Sequence, residues 1–224
     1  MLDVVPWLFS GAVAFCAFGF LLGFLAVPLQ AWQGDVHRIV YIHLPATWMA
    51  LLIYLLVALA AGIGEFLGVR AAAMWTEALV PTGAVFAFVA LWTGSLWGKP
   101  IWGSWWVWDA RWVADLALLL LYIGLVVGRA LAGEPGRADR AVAWIALPGT
   151  AVVLATLVSV ALLPTTPTGP ADTLVAASAK DVLAVAALVA VAVGVFLYSC
   201  AMVLIRLRCV ILERAQDTDR ATAP

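Results

Sequence analysis

The chain has 224 residues, of which 66% are hydrophobic and only 11% are charged. Roughly a quarter of the residues in a soluble domain are charged, so this composition excludes an ordinary soluble protein and any sizeable soluble domain. The formal net charge of −1 supplies no overall basic field of the kind that attracts nucleic acids.

Six segments are apolar over roughly the 20 residues that a helix needs to cross a bilayer. The sequence therefore predicts an all-α integral membrane protein, a bundle of six transmembrane helices in a single membrane domain covering residues 1–224. The predicted spans are residues 7–29, 44–67, 75–96, 112–131, 141–163 and 181–205, followed by a tail at 206–224. Residues 1–6 carry no basic segment and no cleavage signal, so we expect the first span to be retained rather than removed as a signal peptide.

The distribution of basic residues predicts the orientation, because cytoplasmic loops are enriched in Lys and Arg. Eight fall on one side of the predicted membrane, which we expect to be cytoplasmic together with both termini: Arg70, Arg129, Arg137, Arg140, Arg206, Arg208, Arg214 and Arg220. The loops at 30–43, 97–111 and 164–180 then face outward, to the periplasm in a Gram-negative cell. Only four bases lie on that side: Arg38, Lys99, Arg111 and Lys180.

Both histidines lie in the first outer loop. His43 is followed by Pro45, which is acceptable in the first turn of a helix, so we expect His43 at the outer edge of the membrane where the second span begins. An imidazole there is either a hydrogen-bonded interface residue or a ligand of haem iron, which neutral imidazole commonly binds. His37 is predicted to be a solvated loop residue.

The most unusual segment is the outer loop between spans three and four. Five of the twelve tryptophans lie within residues 102–112, and two more lie just before them at Trp92 and Trp97. Tryptophan is enriched in belts at membrane interfaces, but this density favours a broad aromatic platform for a flat, apolar ligand such as a porphyrin. In a helix, about 120° of arc would hold Trp102, Trp105, Trp106, Asp109 and Trp112.

Charged residues accompany this platform. Asp109 would lie among indoles and need a partner, since an unpaired buried charge is costly; indole N–H groups, loop amides, Lys99 and Arg38 are candidates. Positive charge is otherwise avoided on the outer side, so Arg38, Lys99 and Arg111 indicate a bound anion, although a few outer bases are also ordinary. Gly98 and Gly103 either break the helix or allow close approach of a ligand.

The three cysteines, Cys16, Cys200 and Cys209, form no Cys-x-x-Cys pair. The sequence therefore gives no support to a zinc site, thioredoxin-like chemistry or covalent haem attachment. We interpret the cysteines as small buried apolar residues.

Residues 93–111, which read TGSLWGKPIWGSWWVWDAR, closely resemble the tryptophan-rich WWD signature of the haem-handling protein family. With YIHLPA at 41–46 and six spans, the chain resembles the haem exporter protein C (CcmC) family. The resemblance implies a haem-binding, non-enzymatic protein of cytochrome c maturation in the bacterial inner membrane. It would hold haem b transiently and without a covalent bond at the periplasmic face and deliver it to the haem chaperone CcmE, with CcmD and the transporter subunits CcmA and CcmB as partners.

The resemblance also implies roles for individual residues. His43 matches the family's first outer histidine, an axial ligand of the iron and the only metal centre expected. Arg38, Lys99 and Arg111 are the candidate partners of the haem propionates. The haem-binding residues carried over are Trp97, Trp102, Gly103, Trp105, Trp106, Trp108 and Asp109.

The chain departs from the family pattern in three places. The family's second outer histidine belongs in the loop between spans five and six, and residues 164–173 contain no His, Met, Cys or Tyr. The iron is then five-coordinate, or binds water, His37 or a group from a partner chain. Trp112-Val113 stands where the family tends to have Leu-Thr, and Asp115 within span four has no assigned role.

Three other functions fit parts of the pattern. A membrane subunit of an ABC-type transporter that moves haem or another solute would show ionisable groups near mid-membrane, and the predicted span centres are nearly free of charge. A cytochrome c synthase resembles the tryptophan loop but is larger, with more histidines. A structural scaffold would carry the indoles only as an aromatic belt.

Overall fold

The computed structural model describes residues 2–27, 35–162 and 182–222, and its regular elements are all helical. Short 3-10 helices lie at Leu2–Val4 and Asp35–Ile39, and a π-helical turn covers Leu22–Ala26. The predicted outer loop at 164–180 lies outside the described residues. The long helices are α1 Val5–Leu21, α2 Val40–Leu67, α3 Arg70–Trp102, α4 Ala110–Ala132, α5 Pro135–Leu162 and α6 Val182–Thr222.

Six helices within these ranges are long and apolar enough to cross a membrane, which confirms the predicted class and number of spans. Several helices are longer than predicted: α2 begins at Val40 rather than at residue 44, and α3 continues to Trp102 rather than to 96. In the predicted tail at 206–224, α6 continues as a helix to Thr222. At a rise of 1.5 Å per residue, α6 is about 60 Å long, about twice the hydrocarbon core.

Helix α3 is central to the bundle. It packs against α2, α4 and α6, and α2 is equally central because it packs against α3, α5 and α6. Helix α1 packs against α6, and α4 packs against α5. Small and branched apolar side chains fill the space between these helices. Large apolar side chains such as Leu59 and Val127 remain exposed on the outside, as expected where a helix faces lipid rather than water.

Two fully buried tyrosines connect the helices near the middle of the bundle. The Tyr122 hydroxyl on α4 donates to the carbonyl oxygen of Ala50 on α2 at 2.7 Å. The Tyr54 hydroxyl on α2 donates to the carbonyl oxygen of Ala146 on α5 at 3.3 Å. The two rings meet edge to face with centroids 5.5 Å apart. Both polar tips are thereby satisfied, which the absence of water in a membrane interior requires.

Four charged residues join four helices at one end of the bundle, which we call the arginine end. Arg129 on α4 pairs with Glu77 on α3 and with Asp139 on α5. Arg214 on α6 bridges the same two carboxylates, with contacts of 2.9 Å to Glu77 and 2.7 Å to Asp139. All four side chains are between 17% and 25% exposed, so the network is shielded and its two positive and two negative charges balance.

Arg214→Ala is expected to lower the free energy of unfolding by about 2 kcal/mol, because Glu77 and Asp139 would then share a single guanidinium in a shielded site. Unfolding in mixed detergent micelles measures the change. The matched control is Arg137→Ala. The Arg137 and Glu134 side chains, which form an ion pair, are 77% and 72% exposed, so this variant is expected to change the free energy of unfolding by less than about 0.5 kcal/mol. Equal losses for the two variants would contradict the role of the network.

Candidate functional site

The far end of α3, which we call the tryptophan end, begins where Gly103 stops the helix. Gly103 adopts a φ of 71°, and its N–H donates to the carbonyl oxygen of Lys99 at 3.0 Å. This left-handed conformation suits glycine, which has no Cβ to clash. The Lys99 ammonium folds back and donates to the carbonyl oxygen of Gly103 at 2.8 Å. Residues 103–109 therefore form a loop, the tryptophan loop, that joins α3 to α4.

The helix considered for residues 102–112 is wrong, and Asp109 shows why. Its carboxylate accepts a hydrogen bond from the backbone N–H of Arg111 at 2.9 Å and so caps the start of α4. Aspartate is a favoured N-cap because its carboxylate satisfies an otherwise unpaired N–H at the helix start. Among the described residues, the Asp109 carboxylate is thus bonded to a helix amide rather than to Lys99 or Arg38.

Edge-to-face contacts connect the indoles around this loop. The Trp106 ring lies 5.5 Å from the Trp108 ring and 5.4 Å from the Trp112 ring, and Trp112 lies 6.4 Å from Trp102. Such pairs prefer this perpendicular arrangement because the positive ring edge meets the negative face. The exposed fractions are 41% for Trp102, 56% for Trp105 and 83% for Trp108. The loop thus presents a large apolar surface built on a packed base.

Gly98 makes the base of this cluster possible. A Cβ added to Gly98 would lie 2.7 Å from Cη2 of Trp112 and 3.2 Å from Trp102. The Trp112 indole therefore lies directly against the α3 backbone. The sequence predicted Trp112 near the platform but not among the site residues. Gly98 and Trp112 lie on different helices, so no local sequence pattern indicates their contact.

His43 lies inside α2, three residues after its first residue, rather than in a loop at the helix start. Its Nδ1 lies 3.0 Å from the carbonyl oxygen of Ala90 and 3.2 Å from the hydroxyl oxygen of Thr93, both on α3. The Thr93 hydroxyl donates its own proton to the carbonyl oxygen of Val89 at 2.6 Å. Nδ1 therefore faces two acceptors and carries the proton.

The consequence for His43 is a defined tautomer. With Nδ1 protonated, the lone pair of the neutral imidazole is on Nε2, which has no hydrogen-bond partner among the described residues. A second hydrogen bond of this kind commonly fixes the tautomer and orientation of a metal-binding histidine. Ala90 and Thr93, which sequence reasoning missed, thus orient the His43 ring and set its proton on Nδ1.

Trp97 joins His43 to the tryptophan loop. Its ring is 5.9 Å from the imidazole, edge to face, and it is only 8% exposed. The indole N–H groups of Trp97 and Trp106 are buried without an acceptor among the described residues. Buried donors are normally paired, so these two N–H groups are available to a ligand with acceptor atoms.

The basic residues lie at the same end but already have contacts. Arg38 pairs with Asp35 at 2.6 Å and its guanidinium lies 5.7 Å from the Phe24 ring centre. The Lys99 ammonium is 5.8 Å from the Trp105 ring centre. Arg111 follows the cap of α4. The solvated position predicted for His37 is wrong: it is 4% exposed, because the 3-10 helix turns its ring inward against Tyr41.

The comparisons with known proteins agree on one family. The family model described as "Heme exporter protein C" matches residues 1–222. The chain is 45% identical over 122 residues to "Heme exporter protein C" of Escherichia coli strain K12, which covers 54% of this chain and 50% of that protein. The protein of the same name from Bradyrhizobium diazoefficiens is 38% identical over 147 residues, 65% of this chain and 55% of that protein.

A plant relative also matches, 37% identical over 119 residues and about half of each chain: a "Putative cytochrome c biosynthesis ccmC-like mitochondrial protein" of Marchantia polymorpha. The chain spans about half the length of the curated relatives it matches.

Gly98→Ala is expected to reduce the free energy of unfolding by about 1–3 kcal/mol, because the new methyl group overlaps the Trp112 ring, which Trp102 and Trp106 confine. The matched control is Gly124→Ala in α4, where a Cβ would lie 3.7 Å from Ile145 in ordinary contact. That control is expected to be neutral or slightly stabilising, since alanine favours the helix. The free energies of unfolding of the two variants are compared in mixed micelles. The same small decrease for both would contradict the close contact between Gly98 and the Trp112 ring.

Proposed function

The chain belongs to the haem exporter protein C family, and from that premise we propose that it binds haem at the tryptophan end and hands it on during cytochrome c maturation. The observation that carries this proposal is the tautomer of His43, which leaves the lone pair on Nε2 for an iron ion. The centre of the His43 ring lies 5.9 Å from the centre of the Trp97 ring, where the indole cluster begins. The haem is cargo, held without a covalent bond, and the protein needs no catalytic group for this role.

The donor set fits haem in its chemistry. Nε2 of a neutral histidine is a common axial ligand of haem iron. The exposed indoles of Trp102, Trp105 and Trp108 supply a flat apolar surface for the macrocycle. The buried N–H groups of Trp97 and Trp106 can donate to acceptor atoms such as propionate oxygens. Lys99 is exposed and can exchange its contact with Gly103 for a charge-assisted hydrogen bond to a propionate.

The proposed orientation places the tryptophan end in the periplasm. Three described bases, Arg38, Lys99 and Arg111, lie at that end. The half of the bundle that contains the arginine end carries a larger set, which the positive-inside tendency assigns to the cytoplasm: Arg70, Arg129, Arg137, Arg140, Arg206, Arg208 and Arg214. The protein would then be a multi-pass protein of the bacterial inner membrane with both termini inside.

Delivery of haem requires that the site also release it. His43 would supply one axial bond, and the second outer histidine of the family pattern has no counterpart in the sequence of residues 164–173. An iron bound on one face by His43 leaves its other face to water or to an incoming ligand. We propose that the chaperone CcmE takes haem through this second face, with CcmA, CcmB and CcmD as the other partners.

His43→Gly is expected to abolish the Soret absorption band of protein loaded with haem, because the iron loses its axial ligand. Added imidazole should restore the band, since a free imidazole can occupy the space that the variant opens. An undiminished band in His43→Gly without imidazole would overturn the assignment of the ligand. Failure of the wild-type protein to bind haem at all would overturn the proposed function.

The double variant Trp105→Leu/Trp108→Leu is expected to raise the dissociation constant for haem at least about tenfold, because two indole faces are lost and each aromatic contact contributes about 0.5–1.5 kcal/mol beyond its area. Fluorescence quenching titration measures this constant. Trp144→Leu is the control, since Trp144 is 67% exposed on α5, away from the tryptophan loop. Equal effects of the double variant and the control would show that the indoles act as a membrane belt.

A further inference from the structure

Asp115 is a carboxylate within the fourth span that the site described above does not use. It lies in α4, six residues after the cap Asp109. It takes part in no hydrogen bond or ion pair with the described residues. A carboxylate inside a membrane span is costly unless it is paired, and such residues commonly mark functional sites. The structure provides two independent ways to locate Asp115 relative to His43.

The first is helical periodicity in α4. Asp115 precedes Tyr122 by seven residues, or about two turns, so the two lie on nearly the same face of the helix. At Tyr122 this face packs against α2, through the 2.7 Å hydrogen bond to Ala50, and against α3, where a Cβ on Gly83 would overlap the tyrosine ring. The face that carries Asp115 is therefore directed at α2 and α3 rather than at lipid.

The same spacing places His43 at the level of Asp115. His43 precedes Ala50 by seven residues in α2, and α2 and α4 both run from the tryptophan end to the arginine end. His43 and Asp115 therefore each lie about 10 Å toward the tryptophan end from the contact between Ala50 and Tyr122. The two residues therefore lie at the same depth on parallel helices.

The second measure is the register of α4 along α3. Trp112 lies against Gly98 and Tyr122 against Gly83, in the order expected for antiparallel helices. Asp115, three residues beyond Trp112 and seven before Tyr122, is then level with about residues 90–95 of α3. That stretch contains residues that contact His43, through the Thr93 hydroxyl at 3.2 Å and at Gly94, where a Cβ would lie 3.3 Å from the imidazole. Both measures place Asp115 at the depth of the His43 imidazole.

We propose that Asp115 selects the charge of the bound metalloporphyrin and favours a centre with a net positive charge, such as ferric haem, over a neutral one, such as ferrous haem. The inference rests on the proposed function, because it requires haem on His43. The porphyrin ring carries two negative charges, so Fe(III) leaves a centre of +1 and Fe(II) a neutral centre. A carboxylate in low-dielectric surroundings stabilises a nearby positive charge strongly. Arg38 pairs with Asp35, and Lys99 contacts Gly103.

The test is the midpoint potential of haem bound to the wild-type protein and to Asp115→Asn, measured by spectroelectrochemistry in detergent. The ratio of affinities for ferric and ferrous haem is expected to fall at least about tenfold in the variant, which is a rise of 59 mV for a one-electron couple. Asp115→Glu should keep the wild-type potential. Glu134→Gln, at a 72% exposed side chain of the arginine end, should leave it unchanged.

A second titration separates charge from structure. Zn(II) protoporphyrin has a neutral centre, so its affinity should be the same for wild type and Asp115→Asn, which also establishes that the variant is folded. Equal losses of affinity for zinc and ferric porphyrins would overturn the proposal in favour of a structural role. Bound haem with an unchanged potential in Asp115→Asn would overturn it while leaving the proposed function intact, whereas a wild-type protein that binds no haem would overturn the proposed function itself.

Discussion

The tryptophan end depends on the hydrogen bond between Nδ1 of His43 and the carbonyl oxygen of Ala90, 3.0 Å long. This bond sets the proton on one ring nitrogen and leaves the lone pair on the other. It also holds α2 to α3 at the depth where the indole cluster begins, since the imidazole meets Trp97 edge to face. A histidine held only within its own helix would have neither a fixed tautomer nor a fixed position relative to the tryptophan loop.

The base of the indole surface is also held by contacts between helices. This base is Trp112, which lies against the α3 backbone at Gly98 and is confined by Trp102 and Trp106. A loop of seven residues between two helix ends has little freedom once Gly103 ends α3 and Asp109 caps α4. The exposed rings are therefore presented on a packed support, so that little conformational entropy remains to be lost when a flat ligand binds.

The two ends of the bundle use charge in different ways. At the arginine end, two guanidiniums and two carboxylates neutralise one another and join four helices. At the tryptophan end, Lys99 and Arg38 make local contacts that a ligand can replace, and Asp115 has no partner among the described residues. The charges of the arginine end are thus paired across helices, whereas those of the tryptophan end remain available to the ligand that we propose.

The sequence by itself determined the class of protein, the number of spans and the family. Hydropathy is a local property of about 20 residues, so it reveals spans without any knowledge of packing. The run from Thr93 to Arg111 is specific enough to indicate the family, which the match over residues 1–222 confirms. The helix limits were less certain, because periodicity could not show that Gly103 adopts a positive φ or that Asp109 caps α4.

Tertiary structure alone decided the chemistry of individual side chains. The hydrogen-bond acceptors for His43 lie 47 and 50 residues further along the chain. Trp112 packs against Gly98 on the facing helix α3. Asp115 is visible in the sequence as an unexpected charge, but its depth relative to His43 follows only from the register of α4 along α2 and α3. Tautomers, close contacts and shared depth arise between helices that are distant in the chain, and the pattern of residues along any one helix does not contain them.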